Sequence, residues 1–97
     1  MILELYSIKD EKAGVFMPPA AVPHLVEMTR GITQVMRDPN SKLALYPGDF
    51  SLYYIAKMDQ DSGQIIIDPS GPRFIAQLSA FTSSLPNGVT AGGPNNG

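Results

Sequence analysis

Apolar and polar residues alternate from Ile2 to Ile8. Ile2, Glu4, Tyr6 and Ile8 fall on one side and Leu3, Leu5 and Ser7 on the other, the period of a β-strand. Asp10-Glu11-Lys12-Ala13-Gly14 reads as a charged turn, and Val15-Phe16-Met17 as the return arm of a hairpin. Pro18-Pro19 ends that arm, because proline cannot donate to a ladder. The period then changes. Leu25, Met28, Ile32 and Val35 recur at helical spacing, widened by Val22, Thr29 and Met36. His24, Glu27, Arg30, Gln34 and Arg37 occupy the opposite face. Pro23 suits a first-turn position, and Asp38-Pro39-Asn40 stops the helix. Gly31 lowers helix propensity and is expected to mark a close approach to a sheet.

Residues 40–49 read as a loop with a turn at Tyr46-Pro47-Gly48-Asp49. Phe50 to Met58 is the clearest strand, with Leu52, Tyr54, Ala56 and Met58 on one face and Ser51, Tyr53, Ile55 and Lys57 on the other. Both faces are largely apolar, which fits a central strand. Asp59 to Gly63 is a hairpin connection, and Gln64 to Asp68 is the partner strand. Asp68-Pro69-Ser70-Gly71-Pro72 breaks the chain again. Apolar residues at 74, 75, 78 and 81 fit a short helix or a terminal strand. The economical solution is an α+β fold, a small antiparallel sheet of about four strands packed by one main helix. Residues 1–82 form the domain. Residues 83–97 hold four glycines, two prolines and three asparagines. They bury too little to offset an ordering cost of about 1–2 kcal/mol per residue, and read as a flexible tail.

Composition narrows the chemistry. The chain has no cysteine and one histidine, His24. Thiolate nucleophiles, Cys-ligated zinc and two-histidine sites are excluded. His24 reads as a partly exposed helix residue. Asp59-x-Asp61-x-Gly63 departs from a calcium loop, with Gly one position early and Ser70 at the twelfth position where Glu is required. No phosphate-loop order is present. We therefore expect no enzyme, no cofactor and no metal. The N-terminus does not read as a signal peptide. The longest apolar stretch, Val15 to Val26, carries three prolines and a histidine, so no membrane span is expected.

The formal net charge is −2, which argues against non-specific duplex binding but not against a local basic stripe. Phe50, Tyr53, Tyr54 and Lys57 share a strand, where aromatics near a cation stack single-stranded bases. Arg30 and Arg37 on the helix, with Lys42 beyond it, form a modest basic stripe. Arg30, Arg37, Lys42, Tyr53, Tyr54 and Lys57 are therefore the candidate nucleic-acid contacts, with Arg73 a further cation. The bland alternative is that the strand aromatics face the core and the arginines a solvated surface. A protein–protein or scaffolding module with no DNA affinity would fit that alternative. A small domain with one helix leaves a sheet face to cover, which favours a homo-oligomer, and a dimer is the simplest.

Five segments occur in an order that resembles a known family. These are Leu5 to Phe16, Pro18-Pro19, Arg37 to Ser41, Tyr46 to Tyr53, and Met58 to Gly63. Together, over about residues 3–80, they resemble the small nonstructural protein of gokushovirus-type microviruses, which are single-stranded DNA phages. The Gly/Asn-rich tail is a departure from that pattern. The resemblance implies a nonstructural protein in the cytoplasm of an infected bacterium. It implies an accessory role in phage DNA replication or in the switch to single-strand synthesis, through single-stranded DNA or the replication initiator. It brings no catalytic residues.

Overall fold

A computed structural model describes residues 1–82; the segment read as a tail, 83–97, lies outside the described residues. Six strands form one antiparallel sheet: β1 (Ile2–Asp10), β2 (Val15–Phe16), β3 (Ala20–Val22), β4 (Phe50–Asp59), β5 (Ile65–Ile67) and β6 (Arg73–Gln77). Only β1 and β4 are long, and they pair with each other along their length at the centre. Both β2 and β3 pair with β1 along one edge, while β5 and β6 pair with β4 along the other. The expected four strands are therefore present as positions, with each edge strand divided in two. Prolines cause both divisions. Pro18-Pro19 separates β2 from β3, and Pro69 with Pro72 separates β5 from β6.

Local chemistry fixes the turns. In the β1–β2 turn an Asp10 carboxylate oxygen accepts from the backbone N–H groups of Lys12 and Ala13, both at 3.1 Å. Gly14 closes that turn at φ 73°, a conformation that L side chains rarely adopt. The Asp59 to Gly63 segment is likewise a turn, with Asp59 accepting from the Asp61 N–H at 2.9 Å. No metal-binding group of acidic or histidine side chains occurs among the described residues.

Helix α1 spans Leu25–Met36, with His24 as its N-cap and Arg37 as its C-cap. Pro23 therefore lies just outside the helix rather than in its first turn. Ile32 and Met36 are buried, and Leu25 and Met28 pack against the core, as the spacing predicts. Val35 is the exception at 39% exposed. Gly31 is a second departure: a Cβ built there meets nothing within 4 Å, so it marks no close approach.

Residues 40–49, which read as a loop, contain helical turns. Ser41 caps a four-residue helix, α2 (Lys42–Leu45), by accepting from the Leu43 N–H at 3.2 Å. A 3₁₀ turn over Pro47–Asp49 then leads into β4. The segment left open between helix and strand is both, since β6 is followed by α3 (Ser79–Thr82). Between them Leu78 is fully buried, and its N–H donates to the Phe50 carbonyl at 2.9 Å.

The core lies between α1 and one face of the sheet and contains Tyr6, Ile32, Met36, Phe50, Leu52, Tyr54 and Leu78. Two register shifts shape it. Leu5 lies opposite Ala56 but Tyr6 opposite Tyr54, which makes Ile55 the extra residue of a bulge. Between β4 and β6 the extra residue is Ile75. Bulges bend a strand and raise its twist. The first of them interrupts the simple alternation expected along β4, so that Ala56 and Met58 pair with Leu5 and Leu3 rather than continuing the face of Leu52 and Tyr54.

Candidate nucleic-acid interface

Strand alternation divides the sheet into a covered and an open face. Leu52 and Tyr54 point toward α1. Tyr53, between them, points away, and three partners surround it on the open face. Ser7 of β1 lies opposite Tyr53, Phe74 of β6 lies opposite on the other side, and Phe16 reaches it from β2.

The rings form a row. Phe16 and Tyr53 meet edge to face with centroids 5.1 Å apart, and Tyr53 and Phe74 do the same at 5.8 Å. Such pairs contribute about 0.5–1.5 kcal/mol each beyond area burial. Small residues make room beneath the row: Ser7 and Ser51 are buried at 2% and 3% exposure. The Ser7 hydroxyl is satisfied by donating to the Met17 carbonyl. Phe16 and Phe74, by contrast, remain 43% and 55% exposed. Two aromatic surfaces are therefore presented to solvent around a half-buried tyrosine.

One cation sits in the row. Lys9 Nζ lies 5.4 Å from the Phe16 centroid and 5.8 Å from that of Tyr53, within cation–π range. Glu11 moderates it, approaching Lys9 Nζ at 3.6 Å and accepting from the Tyr53 hydroxyl at 3.2 Å. The patch is thus aromatic first and only weakly basic.

The six residues singled out from the sequence divide among separate surfaces. Tyr53 is at the centre of the open face. Lys57 is exposed further along β4, beyond the Ile55 bulge. Tyr54 is in the core, 7% exposed, edge to face with Tyr6 at 5.7 Å. Arg73 lies over the Tyr54 ring at 4.5 Å and pairs with Asp68 at 3.7 Å. Arg30 and Arg37 line a shallow groove on α1 with Thr29, Thr33 and Gln34, and Arg30 pairs with Glu27 at 3.4 Å. Lys42 is exposed at the start of α2. Because α1 covers the Tyr54 side of the sheet, its arginines and Tyr53 do not share a surface.

Lys9, Phe16 and Phe74 are the residues that sequence reasoning missed. The hairpin signal placed Phe16 on a strand returning along β1, and strand pairing would have brought it to Lys9. Phe74 was hidden by the open choice between helix and strand.

Among the described residues, Tyr6 and Asp68 are displaced from their ordinary values. Burial, and then the hydrogen bond to Glu4 at 2.6 Å, push the Tyr6 phenol up. Asp68 is held down by hydrogen bonds from the Ser70 N–H and hydroxyl, with help from Arg73. Neither group lies in the aromatic row. A separate apolar groove of about 320 Å³ runs between α1, β3 and α2, lined by Ile8, Val22, Met28, Val35 and Leu43 among others.

A family model described as phage ORF5 protein matches residues 3–81. The chain belongs to the phage ORF5 protein family. The match covers the whole sheet apart from Ile2 at its start, and includes every member of the aromatic row. No curated protein and no solved structure gives a significant match. Among the described residues no helix of this phage protein is long and apolar enough to cross a membrane.

Proposed function

We propose that this phage ORF5 protein is a non-enzymatic accessory factor in the replication of a single-stranded DNA phage of the microvirus type. It acts in the cytoplasm of the infected bacterium and holds single-stranded DNA on the open face of its sheet. The observation that carries this reading is the Phe16–Tyr53–Phe74 row with Lys9 over two of its rings. Bases stack on aromatic side chains for about 1–3 kcal/mol each, without regard to sequence. A duplex hides its base faces, so the row selects unpaired strands.

Charge sets the strength. With a net charge of −2 and Lys9 shared with Glu11, few phosphates are neutralised, so stacking rather than counterion release supplies the affinity. Each phosphate neutralised on a single strand adds a slope of only about 0.7 in log–log salt dependence. Weak binding with a shallow salt slope is therefore expected. Fluorescence anisotropy of a labelled single-stranded oligonucleotide at two salt concentrations, with duplex as control, tests this. Binding that prefers single strands and falls with Phe16→Ala or Phe74→Ala supports the proposal. Equal binding of duplex, or none at low salt, overturns it.

The apolar groove beside α1 favours a second reading, in which the contact is a protein such as the replication initiator. That reading needs no DNA affinity. It predicts that substitutions along Met28 and Val35, not along the aromatic row, disturb function.

A further inference from the structure

The end of the sheet farthest from the core carries an edge unlike the others. β5 consists of Ile65, Ile66 and Ile67, which are 49%, 45% and 74% exposed. Among the described residues it pairs only with β4, and so its other side presents main-chain groups that none of them pairs with. Proteins ordinarily blunt such an edge with charge, proline or a bulge. Here the opposite edge is broken by Pro18-Pro19, and β6 opens with Arg73 directly after Pro72. The three residues of β5 themselves carry no charge, proline or bulge; the strand is short, and Asp68 and Pro69 end it.

The apolar character runs inward from that edge. Ile65 is opposite Met58, which is opposite Leu3; Ile67 is opposite Ala56, which is opposite Leu5. Leu3, Leu5 and Met58 lie outside the core cluster beneath α1. The adjoining Met1 and Ile2 are 62% and 45% exposed.

We infer that β5 is the pairing edge for a second copy of this chain, joined antiparallel about a two-fold axis at Ile66. The sequence of the edge is self-complementary in that arrangement. Ile66 meets Ile66 of the second copy, and Ile65 meets Ile67. The flanking Gln64 meets Asp68, so no carboxylate faces a carboxylate. The two apolar rows become one, running from Leu3 through Met58 and Ile65 to Ile67, Ala56 and Leu5 of the second copy. An antiparallel two-fold stands perpendicular to the sheet, so both open aromatic faces fall on the same side. Three strand residues bury less than the roughly 800 Å² per partner of a standard interface. The dimer is therefore concentration-dependent. It closes at two copies, since the described residues of each chain offer one such edge. This inference is independent of DNA binding.

Sedimentation velocity of the full chain across a micromolar concentration range tests it. The expected result is conversion from 10.4 kDa to twice that mass and no further. Ile66→Glu places a carboxylate beside Lys57 of its own chain, which the monomer tolerates, but opposite an identical carboxylate in the dimer. It is expected to sediment as a folded monomer throughout. Because the chain has no cysteine, Ile66→Cys reports proximity cleanly, and a short bis-maleimide should convert it to covalent dimer. A wild-type monomer at every concentration, or an open ladder of larger species, overturns the inference. So does a dimer that Ile66→Glu leaves intact and Ile66→Cys does not cross-link.

Discussion

Tyr53 and Tyr54 are adjacent in β4 and serve opposite faces of the sheet. Tyr54 packs edge to face on Tyr6 at 5.7 Å within the core, with the Arg73 guanidinium over its ring. Tyr53 packs on Phe16 and Phe74 at 5.1 and 5.8 Å on the open face. The same residue type thus carries stability at one position and an exposed aromatic surface at the next. The dipeptide separates two questions that a small domain usually confounds, because a substitution at either position leaves the other face in place.

Removing the Tyr54 ring should damage the fold. A buried aromatic truncated to alanine costs about 3–5 kcal/mol, and Tyr54→Ala also leaves Arg73 without its ring. Urea unfolding should show a large fall in midpoint. Phe74→Ala, exposed and on the other face, should unfold within about 1 kcal/mol of wild type. It should nonetheless lose single-strand affinity by the equivalent of about 1–3 kcal/mol in an anisotropy titration. Equal losses of stability from both variants would remove the division between the two faces.

Leu78 anchors the C-terminal part of the domain. It is fully buried between β6 and α3, and its N–H reaches the Phe50 carbonyl at 2.9 Å. Leu78→Ala is expected to cost about 2–5 kcal/mol, in the range of the fully buried Leu52→Ala. Thermal denaturation of the two variants side by side checks this. A negligible effect at Leu78 would show that α3 docks independently of the core.

Much of this arrangement is legible in the alternation of β1 and β4 and in the helical spacing of Leu25, Met28, Ile32 and Met36. The divided edges are less so. β3 is only Ala20–Val22, too short for a periodic signal, and its pairing with β1 is decided by the chain returning past Pro18-Pro19. α2 is also short, though Ser41 before Lys42 is a capping signal in plain view. The site was legible at Tyr53 and obscured elsewhere. Tyr54 follows Tyr53 in sequence but alternation turns it to the other face, and α1, which carries Arg30 and Arg37, covers only one face of the sheet. Phe16 and Phe74 join Tyr53 through strand register, which a single sequence does not display.

Tyr6 gives the domain an alkaline limit. Its phenol is raised above the ordinary value near 10 by burial and by Glu4. A group whose folded pKa is raised contributes stability that is present below the unfolded pKa and lost as pH rises toward the folded one. Stability should therefore fall above about pH 10, with a limiting slope of about 1.4 kcal/mol per pH unit from this group. Tyr6→Phe removes the titration and should flatten the decline. At neutral pH it should cost about 1–2 kcal/mol, through the lost hydrogen bond to Glu4. Urea midpoints for both proteins at pH 9 and at pH 11, both chosen as about one unit either side of the ordinary phenol value, measure the difference. Identical slopes would exclude Tyr6 as the source.

Gly31 offers a test of whether the groove beside α1 has a use. It sits mid-helix, lines that groove, and has nothing within 4 Å of where a Cβ would lie. Helix propensity alone then favours alanine by about 1 kcal/mol. Gly31→Ala should raise the melting temperature by several degrees, since about 1 kcal/mol shifts a domain of this size by about 4–8 °C. The same methyl group narrows the groove between Met28, Val35 and Leu43. If a protein partner docks there, the stabilised variant should bind it less well while its affinity for single-stranded DNA is unchanged. Stabilisation with no loss of either function would leave the groove a packing defect rather than a contact surface. A melting temperature at or below wild type would mean that the helix closes more tightly on its neighbours than its geometry indicates.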